Sequence, residues 1–312
     1  MGGASIPGVR GTPLSRRRGL SLIELLTVVM IVGLLLALLL PAVMRARAAA
    51  RRARCASNLH NLGLALNQHL SVREAFPSGA GERSFLWALL PYLEQANLRN
   101  WRIDDDTAVA PIPGVFLCPS DEPRGAALAR YATSYAGNAG TFGREPPSEW
   151  DGAFAADRLK PADVTDGLSR TAAVSEWIVG DGDDGRPSRL GSIAILDVDF
   201  PDSAVGLGSF ARTCEAAIPG RTCAVGSPYK GSYWFRGRLG HSLYTHALVP
   251  GRPSCRAAPD LNAITAGSLH GGGAHVLTLD GGARFVRDSI APAVWRALGT
   301  RSGGEAVSDA DY

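Results

Sequence analysis

The chain has little net charge and almost no lysine. Its 312 residues carry a formal net charge of +3, and the basic side chains are nearly all arginine, with lysine only at Lys160 and Lys230. Nucleic-acid-binding domains usually carry a strong basic excess, so this balance gives no reason to expect a nucleic-acid partner. Apolar residues make up 46% of the chain and charged residues 20%, which is the composition of a globular protein.

The sequence also lacks the compact motifs of common metal and nucleotide sites. Its cysteines form no C-x-x-C pair, its histidines show no H-E-x-x-H spacing, and no Walker loop is present. Ser268, His270 and Asp280 suggest a hydrolytic triad, but Ser268 does not stand in a G-x-S-x-G elbow, and a turn already explains Asp280. We therefore expect no metal, no cofactor and no catalytic site, and predict that the protein is not an enzyme.

Five cysteines leave disulfide bonds open if most of the chain lies outside the cytoplasm. Cys214 and Cys223 close a short loop that contains Pro219 and Gly220, and we predict a bridge between them. The alternative is that these cysteines are unpaired small core residues. Because the number is odd, one cysteine must remain free or pair with another chain.

One long hydrophobic run stands near the N-terminus. Residues 25–43 form a stretch of 19 residues without a charge. At about 1.5 Å per helical residue the run spans about 28 Å, close to the roughly 30 Å hydrocarbon core of a bilayer. A secretory signal peptide would be followed by a small-x-small cleavage site, whereas here a basic, alanine-rich stretch follows. We therefore expect the run to stay in the mature protein as a membrane span.

An acidic residue, Glu24, stands directly before that run. A carboxylate in the membrane costs about 2.5–3.5 kcal/mol on insertion scales, so it is either solvated among lipid headgroups or held by a partner. The stretch Arg16-Arg17-Arg18-Gly19-Leu20-Ser21-Leu22-Ile23-Glu24 resembles the type IV prepilin signal. That family has a basic leader, a glycine before the cleavage site and a glutamate at the fifth mature position. It usually begins with Phe or Met where this chain has Leu20.

The resemblance implies cleavage after Gly19 by the prepilin peptidase on the cytoplasmic side, usually with N-methylation of the new terminus at Leu20. It also implies that Glu24 meets the α-ammonium of a neighbouring subunit, since each charge is costly alone in apolar surroundings. The orientation rests on the resemblance too. Four arginines before the run and five after it give no positive-inside preference.

Behind the span, an apolar stripe predicts a stem helix. Leu59, Leu62, Leu66 and Leu70 recur at three- or four-residue spacing and would share one helix face. Such a stripe packs on other structure, most simply on a sheet from the rest of the chain. Nearer the C-terminus, Asp280-Gly281 separates two strand-like runs, which is a strong hairpin signal.

Several blocks together resemble a family of bacterial pilin-like proteins with a large domain of unassigned function. The blocks occur in the family's order and are Cys55-Ala56-Ser57-Asn58-Leu59, Ala88-Leu89-Leu90-Pro91-Tyr92-Leu93-Glu94-Gln95, Phe116-Leu117-Cys118-Pro119-Ser120-Asp121, Ser134-Tyr135-Ala136-Gly137-Asn138 and Thr165-Asp166-Gly167-Leu168-Ser169. The family's C-terminal signature follows as His270, nine residues and then Asp280-Gly281. We interpret His270 and Asp280 as a structural pair that bonds across the hairpin base or fixes the Gly271-Gly272-Gly273 loop.

These observations predict an α+β, pilin-like fold. A long N-terminal transmembrane and stem helix would pack on an antiparallel β-sheet domain with a large irregular insertion. The predicted segments are a cleaved leader (1–19), a transmembrane helix (20–44), a stem helix (45–72), an extracytoplasmic domain (73–300) with its insertion at about 179–260, and a flexible tail (301–312).

The predicted function is that of a prepilin-type, membrane-anchored subunit of a type II secretion or type IV pilus-like assembly. The alternative is an anchored binding module for polysaccharide or secreted cargo that uses the prepilin route only for insertion; an anchored hydrolase is a third hypothesis. The aromatic residues Trp101, Trp150, Tyr233 and Trp234 would suit sugar stacking, but they would equally suit a core.

The expected partners are the prepilin peptidase, inner-membrane lipid, and other pilin-like subunits or secretion machinery. The prepilin resemblance implies a single pass through the bacterial inner membrane. The C-terminal domain would then lie in the periplasm or in a surface filament.

Overall fold

The structure is a computed structural model that describes most of the chain. The described residues are 21–100, 112–121, 131–143, 147–155, 158–180, 188–198, 204–219, 224–226, 230–257, 261–305 and 307–308. The chain forms two compact units that divide after Ala48. The predicted cleavage site at Gly19 and Leu20 lies outside the described residues, so it stays a prediction.

Four helices and nine strands occur in the described part of the chain. The helices are α1 (Leu22–Arg73), α2 (Phe85–Leu89), α3 (Ala204–Ala216) and α4 (Pro292–Ala297). The strands are β1 (Tyr135–Asn138), β2 (Ala172–Glu176), β3 (Ile193–Leu196), β4 (Ala224–Gly226), β5 (Leu243–Tyr244), β6 (Ser254–Ala257), β7 (Leu261–Ala263), β8 (Gly273–Thr278) and β9 (Ala283–Arg287).

The first unit contains the apolar part of α1. Every residue from 22 to 48 is exposed, including the leucines, valines and isoleucines of the hydrophobic run. A core helix of a globular protein would bury such side chains, and none of this apolar stretch is buried. By length and composition the stretch is fit to cross a membrane, as an anchor or as a signal segment.

In the second unit, the remainder of α1 packs on the globular fold. Leu59, Leu62 and Leu66 of the predicted stripe are buried, and Leu70 is partly buried against the same core. Three- and four-residue spacing places these side chains on one helix face. The predicted stem stripe is confirmed.

A five-stranded sheet forms the main layer of the second unit, in the order β5-β1-β2-β8-β9. All its pairings are antiparallel except β1 with β5, which are parallel. The predicted hairpin is confirmed, because β8 and β9 pair in register from Gly273 opposite Arg287 to Leu277 opposite Ala283. The long helix with its largely antiparallel sheets confirms the α+β class.

A second, four-stranded sheet has the order β4-β3-β6-β7. Three of its strands, β3, β4 and β6, lie within residues 179–260, where we predicted an irregular insertion, and β7 directly follows them. This region is therefore more regular than its glycine-rich sequence suggested. With α3 it encloses its own small core, in which Leu196, Phe210 and Leu248 are buried.

A disulfide bond between Cys214 and Cys255 joins α3 to β6. The predicted Cys214–Cys223 bridge is therefore wrong. The packing of α3 on the second sheet brings the Cα atoms of Cys214 and Cys255 to 5.7 Å, which is normal for a disulfide. Cys223 itself lies outside the described residues.

The aromatic side chains considered for sugar stacking are mostly internal. Trp150 and Trp234 are 2% and 0% exposed, and Trp234 stacks on Trp87 with ring centroids 5.7 Å apart. Tyr233 is partly buried at the edge of the same core, and Trp101 lies outside the described residues. The two described tryptophans therefore belong to the core, and the stacking role suggested for them is wrong.

Candidate functional site

A disulfide bond fixes the stem part of α1 to the globular fold. Cys55 on the buried face of α1 bonds to Cys118, which follows the 3-10 turn Gly114–Phe116, over a separation of 63 residues. Both residues are buried, at 0% and 5% exposure. In the chain-entropy model, closing a loop of this length stabilises the fold by on the order of 4 kcal/mol.

Buried hydrogen bonds support this bridge from the next turn of α1. The side-chain amide of Asn58 donates to the Leu117 carbonyl at 2.9 Å and to the Tyr135 hydroxyl at 3.2 Å. That hydroxyl donates in turn to the Cys55 carbonyl at 3.2 Å. Burial raises the pKa of Tyr135, so the phenol keeps its proton and stays a donor.

A buried carboxylate lies on the other side of the bridge. Glu176, at the end of β2, is 1% exposed. Its Oε2 accepts hydrogen bonds from both the backbone N–H and the ring Nδ1 of His275, each at 3.0 Å. Burying a carboxylate is costly unless its oxygens are bonded, and His275 satisfies Oε2 twice.

His270 connects the carboxylate to the disulfide. Its Nε2 lies 3.3 Å from Cys118 Sγ and 3.9 Å from Glu176 Oε1. A disulfide sulfur has no hydrogen, so Nε2 must be the donor in the first contact. The pKa of His270 is lowered, first because burial disfavours the imidazolium, while Glu176 acts in the opposite direction. We call this group of five residues the clasp: Cys55, Cys118, Glu176, His270 and His275.

Arginine side chains of α1 reach the same place. The guanidinium of Arg52 lies 4.0 Å from the centroid of the Phe285 ring on β9, and the rings of His275 and Phe285 meet in a T-shaped arrangement with centroids 5.0 Å apart. The positive charges of Arg51 and Arg52 also lower the pKa of His270. The clasp therefore joins α1, β2 and β8 around one buried carboxyl group, and Arg52 extends this contact to Phe285 on β9.

The two ends of the His270–Asp280 signature have different hydrogen-bond partners. Asp280 bonds within its own turn, where Oδ1 accepts from Thr278 Oγ1 at 2.6 Å and from the Gly282 N–H at 3.0 Å. His270 contacts Glu176 and Cys118 instead. A bond between His270 and Asp280 across the hairpin base, one of the two predicted alternatives, is therefore wrong, because the hairpin carries its turn away from the start of β8. The other alternative, that the pair fixes the Gly271-Gly272-Gly273 loop, stays a prediction.

The Asp280-Gly281 turn packs directly on α1. Gly281 has a φ of +94°, which suits glycine, and the Asn67 amide donates to the Asp280 carbonyl at 3.3 Å. A Cβ atom on Gly63 would lie 2.9 Å from Leu277 Cδ1 and 3.3 Å from Gly281 Cα. The missing side chain at Gly63 thus lets the helix approach the hairpin closely.

Glu24 lies in the first turn of α1, and Ser21, directly before the helix, binds its carboxylate. Its Oε2 accepts from both the backbone N–H and the hydroxyl of Ser21, each at 2.9 Å, and the Ser21 hydroxyl accepts from the Glu24 N–H at 3.3 Å. This is a capping box, the reciprocal Ser-x-x-Glu pairing of a helix N-terminus. Sequence reasoning missed it, although the Ser21-Leu22-Ile23-Glu24 spacing carries the signal.

The clasp contains residue types that bind metals, but its cysteines form a disulfide and are not free thiolates. One potential ligand atom each from Cys55, Cys118, Glu176 and His270 lies within 4.8 Å of the others. Zinc requires deprotonated thiolates, and here the two sulfurs are bonded to each other. In this oxidised form the arrangement holds the fold together rather than an ion.

Two further buried ionisable residues, Asp121 and Lys230, influence each other electrostatically. Asp121 Oδ2 accepts from the Val179 N–H at 3.0 Å, and Lys230 Nζ donates to the Thr265 carbonyl at 3.2 Å. Burial raises the pKa of Asp121 to about 6 and lowers that of Lys230 to about 7, while each charge favours the other. The sequence predicted no joint role for these two residues, because their proximity arises only in the fold.

Four of the blocks compared with a family in the sequence have residues that meet at one place in the fold. Cys55 and Asn58, Cys118 and Asp121, Tyr135, and His270 contribute to the clasp or lie close to it. The chemistry of this site is that of a closed structural joint between the stem helix and the sheet.

Comparison with known proteins agrees with this picture. Residues 44–293 match the profile of one protein family, described as "Protein of unknown function (DUF1559)". Searches of curated proteins and of solved structures find no match. The matched residues cover most of the chain and include the whole clasp, so the chain belongs to the DUF1559 family.

Proposed function

We propose that the chain is a prepilin-type, membrane-anchored protein that functions as a pseudopilin-like subunit of a type II secretion or type IV pilus-like assembly. The observation that carries this proposal is the exposed apolar part of α1, with Glu24 in its first turn. An apolar helix without a covering core needs lipid or like helices around it. The preceding Gly19-Leu20 step would be cut by the prepilin peptidase.

The two disulfide bonds support a location outside the cytoplasm. Disulfides persist in oxidising compartments such as the periplasm and the cell surface, and are rare in the bacterial cytosol. Cys55 lies only a short way along α1 from the apolar segment, and its bridge holds the globular unit on the stem. This fits a subunit that presents its domain on the far side of the inner membrane.

A hydrolytic role is not part of the proposal. The ring of His270 contacts a disulfide sulfur and a buried carboxylate, and the Ser268 hydroxyl accepts a bond from the backbone N–H of His270. Asp280 serves its own turn. We infer a non-enzymatic joint. If His270→Ala loses folding and no hydrolytic activity is detectable in the unchanged chain, an anchored hydrolase is disfavoured.

The assembly role of Glu24 can be tested separately from its capping role. Glu24→Gln keeps an oxygen that accepts from Ser21 but removes the charge, whereas Ser21→Ala removes the capping partner and keeps the charge. In the host cell we expect Glu24→Gln to be inserted and processed but not incorporated into filaments or secretion complexes, as measured by crosslinking and shear release. Ser21→Ala should assemble.

The opposite pattern would contradict the filament role. If Glu24→Gln assembles like the unchanged chain, the carboxylate does not meet a neighbouring α-ammonium. The alternative function, an anchored binding module that uses the prepilin route only for insertion, would then be favoured. That alternative has one specific observation in its support, a cavity lined by arginines in the globular unit.

A further inference from the structure

A basic cavity lies where α1 ends in the globular unit. It has a volume of about 420 Å³, within the usual range of ligand pockets. Its walls come from the last turns of α1, the segment around α2, and two more distant segments of the chain. The side chains that matter are His69, Arg73, Arg83, Tyr92, Arg99 and Arg158.

Four guanidinium groups line this cavity, and none of its lining residues in the described part of the chain is acidic. Arginine stays charged at every physiological pH. Among the acidic residues that the structure describes nearby in the sequence, Glu82 pairs with Arg238 at 3.8 Å, and Glu74 and Glu94 are not among the lining residues. Asp104, Asp105, Asp106 and Asp157 lie outside the described residues. In the described part of the chain, no ion pair joins a carboxylate to Arg73, Arg99 or Arg158.

Ordinary surface chemistry explains only part of this arrangement. Arg73 stands in the last turn of α1, where a cation is favoured by the helix dipole. Arg99 and Arg158 belong to other segments of the chain. Together with Arg73 they place like charges around one concave space, which favours the entry of an anion.

The cavity also has a fixed and partly apolar wall. The guanidinium of Arg83 lies 3.8 Å from the centroid of the Trp87 ring, which limits its movement. His69 donates through Nδ1 to the Ala75 carbonyl at 3.1 Å, and its ring meets that of Tyr92 edge to face at 5.7 Å. Burial lowers the pKa of His69, the hydrogen bond to Ala75 opposes this, and the charges of Arg73 and Arg158 lower it further. With Nδ1 donating to Ala75, the neutral ring offers Nε2 as an acceptor.

We propose that this cavity binds a small anionic ligand with two or more oxyanion groups, carboxylate or phosphate, carried on a ring-sized scaffold. Guanidinium groups bind such oxyanions through paired, charge-assisted hydrogen bonds. The neutral His69 Nε2 and the phenol of Tyr92 supply an acceptor and a ring face for the scaffold's hydroxyl groups. This inference is independent of how the chain is cleaved, anchored or assembled.

Calorimetric titration of the full chain in detergent micelles tests the proposal. The probes are a trisaccharide of uronic acids, the corresponding neutral trisaccharide, and inorganic pyrophosphate. We expect saturable 1:1 binding of at least one anion and none of the neutral sugar. Tighter binding of the uronic trisaccharide identifies a sugar acid as the ligand, whereas tighter binding of pyrophosphate identifies a phosphate ligand.

Paired variants separate the cavity from general surface charge. Arg73→Gln with Arg158→Gln should weaken anion binding by roughly 10- to 100-fold, since each charge-assisted bond is worth about a factor of ten. The control, Arg170→Gln with Arg212→Gln, removes the same charge from exposed arginines elsewhere and should leave affinity unchanged. All four side chains are exposed, so both variants should fold, which circular dichroism checks.

Three results would overturn the proposal. They are the absence of saturable binding by either anion, equal binding of the neutral trisaccharide, and an equal loss of affinity in the control variant. None of them bears on prepilin processing, because the titration is made on purified chain and does not depend on assembly.

Discussion

The two disulfide bonds of the globular unit close loops of similar length in different surroundings. Cys55 and Cys118 are 63 residues apart, and Cys214 and Cys255 are 41 residues apart. Chain entropy therefore predicts nearly equal stabilisation, larger for the first by only about 0.4 kcal/mol. The first lies beside a buried carboxylate and two histidines, whereas the second packs among apolar side chains such as Phe210.

The Cys214–Cys255 bridge only closes a small core, whereas the Cys55–Cys118 bridge also positions α1. Breaking the second bridge leaves two small side chains in an apolar space. Breaking the first also loosens α1 from the sheet and disturbs the partners of Glu176. Any loss of unfolding free energy beyond the chain-entropy contribution of the loop therefore measures the polar cluster of the clasp.

The largest expected effect comes from removing each bridge in turn. Cys55→Ala with Cys118→Ala should lower the free energy of unfolding by about 5 kcal/mol, and Cys214→Ala with Cys255→Ala by about 4 kcal/mol. Denaturant titration of the full chain in micelles, followed by tryptophan fluorescence, measures this. All six tryptophans follow residue 48, so the signal reports the second unit. If the two losses of unfolding free energy differ by no more than the chain-entropy difference of about 0.4 kcal/mol, the clasp adds nothing beyond its cross-link.

The next largest effect should come from the carboxylate alone, with both bridges intact. Glu176→Ala leaves the His275 N–H without its acceptor and should cost about 3 kcal/mol. Glu176→Gln keeps an acceptor and should cost clearly less. If Ala and Gln are equally tolerated in the same unfolding measurement, Glu176 does not organise the clasp.

Acid provides a third test, this time of the five-stranded sheet. His246 follows β5 and is fully buried, with Nδ1 donating to the Trp295 carbonyl at 2.6 Å and Nε2 accepting from the Tyr244 hydroxyl at 2.8 Å. Burial lowers the pKa of His246 to about 3 from its usual 6.5. Between pH 3 and pH 6.5 the histidine is protonated in the unfolded chain but neutral in the folded one. The contribution of His246 to stability is therefore fully present above pH 6.5 and decreases as the pH falls.

We expect His246 to account for on the order of 2 kcal/mol lost between pH 6.5 and pH 5. His246→Phe should be less stable at neutral pH. The slope of its unfolding free energy against pH in this range should correspond to about one fewer proton taken up on unfolding. The measurement is the free energy of unfolding at a series of pH values. An unchanged slope would mean that His246 does not titrate in this way.

The smallest effect compares two glycines of α1 in different units. Gly63→Ala should cost about 1 kcal/mol, because overpacking against Leu277 and Gly281 is partly offset by better helix propensity. Gly33→Ala meets nothing within 4 Å and should leave the unfolding of the second unit unchanged. Equal effects of the two substitutions would argue against the close helix–hairpin contact.

Local signals predicted the elements that depend on neighbours in the chain. The spacing of Leu59, Leu62 and Leu66 identified the buried face of α1, and Asp280-Gly281 identified the β8–β9 hairpin. Each pattern reports a geometric period or a turn that a few consecutive residues determine. The Ser21–Glu24 capping box is equally local and could have been recognised.

The sequence could not predict contacts that only the fold creates. Cys55 and Cys118 stand in separate blocks, and spacing alone does not determine disulfide pairing. The short loop between Cys214 and Cys223 favoured the wrong partner, because α3 turns Cys214 towards β6. Glu176 gave no signal at all, since its histidine partner lies 99 residues further along the chain.

The central claim, that the chain is a prepilin-type anchored protein, is tested most directly at its mature N-terminus. Mass spectrometry of the N-terminal peptide, from protein made in its bacterial host, measures where the chain begins. We predict a start at Leu20 with a methylated α-amino group and the apolar segment retained. A mature chain that begins at Met1, or beyond Val43, would contradict the claim.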